Sequence, residues 1–560
     1  MLLSISDHSD MVISQNGGGV STAHVNMMTD TIIANLPADG LRVVVRSLLV
    51  LFPEVTRAFE HETKKYITQR VASSLIPEDA TPSLVDLGQT QQIARSMLGC
   101  GLSFESLQVF QNLVNRGTTV LLRTNNNDLF NVQTFLTSVD GDIVQAMTAV
   151  QKSLFVDTGA RAMNDGEHNM VKDLYQSFMD CYDTIKMKIQ DFPFERSLVS
   201  TAGILGLSRP ALPGANQDLC NQIAIAEPPP QARETFQLNR RIVPRIFSGL
   251  WQMSSPAWGA ASTVKIVEQF SKHVQQGFTA FDMADHYGDA EIVFGRFSSL
   301  YPHKDAIFTA TKYCVFHPMA VSREAVQANV SERCRRLQTE KIDLLQFHWQ
   351  FYENADYLKA LQFLTEDSRV EIVGLCNFDT EHLLKVVESG VRIHTNQVQF
   401  SLIDSRPVFG MGSACEKHNI KLLTYGTLCG GFLADKWLGK AEPDIYDGSI
   451  TPSQRKYFEM IRSWGGWRLF QELLTALRIV ATKHQVDISN VATRWVLDFP
   501  YVGAVIVGAR MGISEHTDEN LRSFGWYLDS SDHDMLEAIL KRSRRLDIYK
   551  SIGDCGTEYR

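Results

Sequence analysis

No two cysteines in this 560-residue chain form a C-x-x-C pair, and none of the nine stands at zinc-like spacing from a histidine. They are scattered at positions 100, 181, 220, 314, 334, 376, 415, 429 and 555. Neither a disulfide framework nor a metal site is expected from such a pattern, and a reducing cytosol suits it best. An excess of basic charge is missing too. The formal charge of −9 argues against a general nucleic-acid binder. The cluster Lys541, Arg542, Arg544 and Arg545 reads as the solvated last turns of a helix. Long apolar runs are lacking: the best, Leu41 to Phe52 (LRVVVRSLLVLF), carries two arginines and is too short to span a bilayer. The start, MLLSISDHSDMV, has no basic segment leading into an apolar one, so neither a membrane association nor a signal peptide is expected. The triple glycine at Gly17 to Gly19 sits among Ser, Asn and Asp and reads as linker, not as a phosphate loop.

What remains is the composition of a globular protein, 44% hydrophobic, 21% charged and 9% aromatic. The length exceeds one ordinary core, so two domains are expected. Residues 1–28 read as a disordered tail and 29–207 as a mainly α-helical domain. Leu41, Val44, Val45, Leu48 and Phe52 have the spacing of one buried helix face, behind Pro37 and Asp39. Stretches 91–100, 104–115, 142–154 and 171–189 carry the same period. Only TTVLLRT (118–124) reads as a strand. This domain shows no phosphate loop, metal spacing or acid–base constellation, so its residues do not name a role; a protein partner or self-association is one it could serve. Residues 208–236 are rich in proline, including Pro228, Pro229 and Pro230, and read as a stiffened linker.

From 237 to 548 the rhythm changes. Short apolar runs alternate with amphipathic segments: VPRIFSGLW (243–251), FTAFDMA (278–284), AIFTATKY (306–313), IDLLQFHW (342–349), VEIVGLCNF (370–378), TNQVQF (395–400), IKLLTYG (420–426) and GAVIVGA (503–509). Eight strands with intervening helices over about 300 residues predict a (β/α)8 TIM barrel, an α/β fold. A doubly wound sheet would place G-x-G-x-x-G after its first strand, where this chain has SGLWQMSSPAWG. Residues 549–560 read as a C-terminal tail.

Active sites of such barrels lie at the C-terminal strand ends. Those ends carry Asp282 and Tyr287 after the second strand, Lys312 on the third and His348 on the fourth. The segment FDMADHYGDAEIVFG is similar to the aldo-keto reductase signature, and TATKY and IDLLQFHW match the segments with that family's lysine and histidine. VGLCNF, TNQVQF, LLTYGTLCGGFL and IVGARMGISEHTDEN match its later strand ends and final loop, in the correct order. The resemblance implies an NADPH-dependent oxidoreductase that reduces an aldehyde or ketone to an alcohol. Tyr287 would be the general acid, Lys312 would lower its pKa, Asp282 would hold Lys312, and His348 would donate a hydrogen bond to the substrate oxygen. It also implies a cofactor site: Leu250, Asn377 and Gln397 at the nicotinamide, Tyr425 stacked on its ring, Gly426 to Leu428 at the pyrophosphate, Arg510 at the 2′-phosphate, and Glu519 and Asn520 at the adenine. Arg510 favours NADPH over NADH, because a guanidinium suits a phosphate dianion.

Three departures from the family pattern are Met283 for Thr, Cys376 for Ser, and Gly426-Thr427 for Ser-Pro. An exposed Cys376 would bring sensitivity to thiol oxidants. Trp251, His286, Trp349, Phe351 and Tyr352 are expected to line the substrate pocket, which suits an apolar or aromatic carbonyl compound. Two other readings compete. In one, the barrel retains NADPH as a redox sensor or regulatory subunit and the helical domain engages a partner protein. In the other, the helical domain is a lid over the barrel mouth.

Overall fold

The structure, a computed structural model, describes residues 27–560 apart from 78, 126–127, 189–190, 209–216, 256–257 and 445–449. Nearly all of the stretch read as a tail, including the triple glycine, lies outside the described residues. Contacts divide the chain into two units, Met1–Phe59 and Glu60–Arg560. In the first, helix α1 (Ala38–Leu51) forms behind Pro37 with Asp39 in its first turn. Its expected buried face is not buried. Val44, Leu48 and Phe52 are 44%, 46% and 48% exposed, and no described side chain between 31 and 59 is buried. Amphipathic spacing creates a face but needs a second apolar layer to cover it, and the described residues of this unit supply none.

The second unit begins within the helix Thr56–Ser74, whose Ile67 shares one core with five further helices: α2 (Leu84–Gly99), α3 (Ser103–Arg123), α4 (Leu129–Ser153), α5 (Asp165–Ile185) and α6 (Glu195–Ile204). Phe110, Val114, Leu136, Ile143, Phe178 and Leu198 are among its fully buried members. Ser83 with Asp86, and Asn164 with Glu167, form capping boxes that satisfy the first free N–H groups of α2 and α5. Of the segment 118–124, expected as a strand, residues 118–123 are the last turns of α3 and Thr124 is its C-cap. Val114, Gly117, Thr118 and Leu121 are buried at helical spacing, and Thr118 Oγ1 returns a hydrogen bond to the Val114 carbonyl at 2.7 Å. Burial of that face outweighs the β preference of Thr and Val. Within the proline-rich stretch, Gln217–Ala224 is helical and Ile223 is buried.

The remainder is a closed barrel of eight parallel strands: β1 (Ile246–Gly249), β2 (Ala280–Asp282), β3 (Phe308–Val315), β4 (Ile342–Trp349), β5 (Val370–Cys376), β6 (Thr395–Gln399), β7 (Lys421–Tyr425) and β8 (Val502–Gly508). β8 pairs with β1 to close the ring. Alternation along each strand sorts residues between two cores. Phe247, Ala280, Phe308, Ala310, Leu344 and Ile372 fill the interior, joined by Leu238 and Val243 of an antiparallel hairpin (Thr235–Leu238 with Arg241–Pro244). Phe281, Leu345, Phe347, Trp349 and Leu375 face outward, to the layer beneath the helices.

Candidate functional site

Two residues beyond the interior apolar layer, the inward positions become polar. Asp282 follows Ala280, Lys312 follows Ala310, Gln346 follows Leu344, and Gln397 comes from β6. Lys312 Nζ donates to Asp282 Oδ2 at 2.6 Å and to the Met283 carbonyl at 2.9 Å. The other carboxylate oxygen, Oδ1, accepts from Gln346 Nε2 at 2.9 Å and Gln397 Nε2 at 2.8 Å. Gln397 also reaches Gln346 Oε1 at 2.9 Å. All four side chains are buried, so this ion pair stands in a low dielectric with its carboxylate fully engaged.

Tyr287 lies on the turn after β2, buried, with its ring centred 5.0 Å from Lys312 Nζ. Burial pushes the phenol well above its ordinary pKa, and the ammonium opposes that without cancelling it. The net shift is therefore opposite to the lowering expected from Lys312 alone: desolvation of a phenolate outweighs one nearby cation. The phenol stays protonated near neutrality. Burial works against the Lys312 ammonium, but Asp282 more than offsets it and holds the amine above its usual range.

His348, also inward on β4, places Nδ1 3.0 Å from the Cys376 carbonyl. A carbonyl only accepts, so Nδ1 carries the proton. Burial lowers the ring pKa to about 4, which keeps it neutral, and a neutral ring protonated at Nδ1 has a lone pair at Nε2. Gln350 Nε2 stands 3.3 Å from that lone pair. In this arrangement Nδ1 is the nitrogen held by the backbone and Nε2 is the one turned toward Gln350.

Sequence order had not indicated that the last residues of the chain enter the site. Tyr559 sits between His348, 5.5 Å away ring to ring, and Tyr425, whose hydroxyl is 2.9 Å from its own. Tyr425 also donates to Asn377 Oδ1 at 3.0 Å. Arg560 donates to the Asn377 carbonyl at 2.5 Å, to Asp379 at 2.7 Å and to the Tyr352 hydroxyl at 2.9 Å. Gly556, at φ +78°, packs so tightly on the Asn377 carbonyl that no Cβ fits. Lys456, from α7 (Pro452–Trp464), lies 5.9 Å from the Tyr425 ring and 5.8 Å from that of Tyr559.

The other sequence-assigned cofactor positions scatter around the strand ends. Arg510 is exposed, gives its Nε proton to the Trp258 carbonyl at 3.0 Å, and shares a cleft with Gly508, Ser514, His516 and Asn520. Glu519 is 2.5 Å from His516 Nδ1. Gly426 has φ +71°, which favours glycine, and the Tyr457 hydroxyl lies where a Cβ would stand. Leu428 is half-buried beside it. Leu250 is fully buried in the outer layer, with its backbone N–H on the Asp282 carbonyl at 2.9 Å. A dinucleotide fits this donor set: an amide and a phenol at Asn377 and Tyr425, and a guanidinium with hydroxyl and amide partners at the Arg510 cleft. The C-terminal residues Tyr559 and Arg560 already engage Tyr425 and Asn377.

The aromatic set is corrected in one respect. Trp349 is 1% exposed, stacked on Phe347 with its indole N–H on the Phe351 carbonyl, so it does not line a pocket. It follows the inward His348 by one residue, and strand alternation turns it outward. Trp251 is exposed and packs on Trp258 at 5.3 Å, whereas Tyr352 stacks on His382 at 3.8 Å. Cys376 is buried, and burial pushes its thiol up to about 12, so the exposure that oxidant sensitivity would require is not met. Among the described residues, Asp285, His286 and Cys314 bring three metal-type donors together, but the Lys152 ammonium already sits on Asp285 Oδ2 at 2.8 Å. Gln346 was missed, although its position two residues before His348 puts it on the same inward face.

The family profile described as "Aldo/keto reductase family" matches residues 245–541. Aldo-keto reductase YhdN of Bacillus subtilis is 26% identical over 320 residues, covering 53% of this chain and 90% of that protein. Flagellar radial spoke protein 5 of Chlamydomonas reinhardtii is 31% identical over 188 residues, 29% of this chain and 35% of that protein. Among solved structures, the glycerol dehydrogenase AKR11B4 from Gluconobacter oxydans aligns over 56% of this chain and 97% of its own, with a TM-score of 0.47 and 23% identity.

Proposed function

The chain belongs to the aldo/keto reductase family, and on that premise we propose that it reduces an aldehyde or ketone to an alcohol with NADPH, using Tyr287 as the proton donor. The observation that carries this reading is the buried Lys312–Asp282 pair set against the Tyr287 ring at the strand ends. When bound, the nicotinamide supplies the hydride. Tyr287 holds its phenolic proton through neutral pH and gives it to the oxygen that gains charge. Lys312, 5.0 Å from the ring, stabilises the phenolate left behind, and Asp282 with Gln346 and Gln397 keeps the ammonium in place. His348 offers an Nε2 lone pair to the hydroxyl of the alcohol, which orients product or, in reverse, substrate. Aromatic and aliphatic aldehydes mixed with the protein should consume NADPH absorbance. A protein that binds NADPH but turns over none of a broad panel would overturn the reading.

Arg510 supports NADPH over NADH because its guanidinium lies exposed in the cleft expected to take the adenosine end. One relative, from Escherichia coli, is named an NADH-specific methylglyoxal reductase at 20% identity, so membership of the family does not by itself choose NADPH. Arg510→Ala is expected to weaken NADPH about tenfold, the worth of one charge-assisted contact, and to leave NADH unchanged. Equal weakening of both in a fluorescence titration would remove Arg510 from the 2′-phosphate.

Tyr559 stands on the groups assigned to the nicotinamide. A cofactor that must displace it binds with its affinity reduced by the population of the open arrangement. Tyr559→Ala is expected to tighten NADPH binding about tenfold, since one hydrogen bond and a ring contact are no longer broken. Unchanged affinity would mean that tyrosine and nicotinamide occupy separate space.

A further inference from the structure

The turn that carries Tyr287, residues 283–289, is held on its outer side by helices that precede the aldo/keto reductase match. Lys152 near the end of α4 places Nζ 2.8 Å from Asp285 Oδ2 and donates to the Cys314 carbonyl at 3.0 Å. Asp285 is buried, accepts the Cys314 N–H at 3.1 Å, and lies 3.1 Å from His286 Nδ1. The His286 ring in turn packs edge-on against Tyr287 at 4.7 Å. The other cation facing Asp285, Arg333, is more distant, at 3.6 Å.

On the far side of Tyr287, Gly288 has φ +58°. A Cβ there would come within 2.7 Å of Gln145 Nε2 and 3.2 Å of Val144 Cγ1, both on α4. Arg196 of α6 forks onto buried Asp289 at 2.8 and 2.5 Å. Residues 285, 288 and 289, on both sides of Tyr287, thus each meet a side chain from the helical segment.

We infer that Lys152 is a positioning residue for Tyr287, its ammonium fixing the Asp285 carboxylate and the end of β3 so that the His286–Tyr287–Gly288 turn is held against Lys312. This rests on the reading of Tyr287 as proton donor. A buried carboxylate that loses its nearer cation must move toward the remaining one or toward water, and either movement drags the adjoining turn. A displacement of about 1 Å at a reacting group costs on the order of 100-fold in rate. The helical segment then acts as a brace for the catalytic turn, and a barrel without it is slower, which is opposite to what a lid predicts.

The test uses the full chain and compares Lys152→Met, Lys152→Arg, Asp285→Asn and the double variant Lys152→Met/Asp285→Asn. Lys152→Met is expected to lower kcat about 10- to 100-fold with NADPH affinity and far-UV circular dichroism unchanged. Lys152→Arg, which keeps the charge, should stay within about threefold of wild type. The double variant should be no slower than Lys152→Met, because neutral Asn leaves no carboxylate to compensate. Wild-type kcat in Lys152→Met, or costs that simply multiply in the double variant, would overturn the inference. So would a loss of NADPH binding in step with kcat, the mark of a general structural role. Should Lys152→Met fail to fold, Lys152→Gln takes its place in the same cycle. Tyr287→Phe, run alongside, separates the two readings: if it keeps full activity the proton-donor assignment fails, whereas its inactivity beside a fully active Lys152→Met removes only the brace.

Discussion

In Tyr287→Phe, turnover of an aldehyde is expected to fall by about 100- to 10,000-fold, the usual worth of a positioned general acid. NADPH affinity should remain within about twofold of wild type. The substitution removes one oxygen and its proton from a buried ring and leaves the ring packing on His286 and the Lys312 contact in place. No hydrogen bond to another protein group supports that hydroxyl among the described residues, so little stability is at stake. The measurement is NADPH consumption at saturating aldehyde, beside a fluorescence titration of the cofactor. A Phe variant that keeps a tenth or more of the wild-type rate would transfer the proton-donor role to another group or to water.

Lys312→Met should lose activity and stability together. Asp282 is buried with its carboxylate committed to Lys312, Gln346 and Gln397. Removing the ammonium leaves a charge with only amide partners, and breaking a buried ion pair from one side costs about 3–5 kcal/mol. The thermal midpoint should therefore drop clearly, whereas Tyr287→Phe leaves it nearly unmoved. In the double variant Lys312→Met/Asp282→Asn much of the stability should return, because no buried charge is left unpaired, yet the rate should stay low. Calorimetry on the three variants decides it. Equal midpoints for the single and double variants would mean that Asp282 finds another partner or takes up a proton at no cost.

Much of the barrel was legible because period and order are local properties of a chain. Eight short apolar runs separated by amphipathic segments, without a glycine-rich loop after the first, pointed to a closed parallel sheet. Asp282, Lys312 and His348 could be located from strand ends alone, since alternation and strand direction say which side chains reach the interior. The same alternation, applied one residue further, would have turned Trp349 outward and brought in Gln346. In 118–124 the β-branched composition suits a strand, but Val114, Gly117, Thr118 and Leu121 stand at helical spacing, and burial of that face against the neighbouring helices decides for helix. Face burial in α1 is the opposite case: spacing shows that a face exists, not that anything covers it.

The sequence by itself determined the barrel, the family and the strand ends that carry Asp282, Lys312 and His348, because each follows from residues near one another along the chain. Tertiary structure alone decided what surrounds them. Lys152 meets Asp285 across 133 positions and Tyr559 meets Tyr425 across 134, separations over which no periodicity carries information. Burial decided that the Tyr287 phenol is pushed up despite the adjacent ammonium, since desolvation depends on everything packed around a group. A carbonyl 28 residues further along the chain, on Cys376, decided which nitrogen of His348 bears the proton. Hydrogen bonds and desolvation are set by distances in space, and those exist only once the chain has folded.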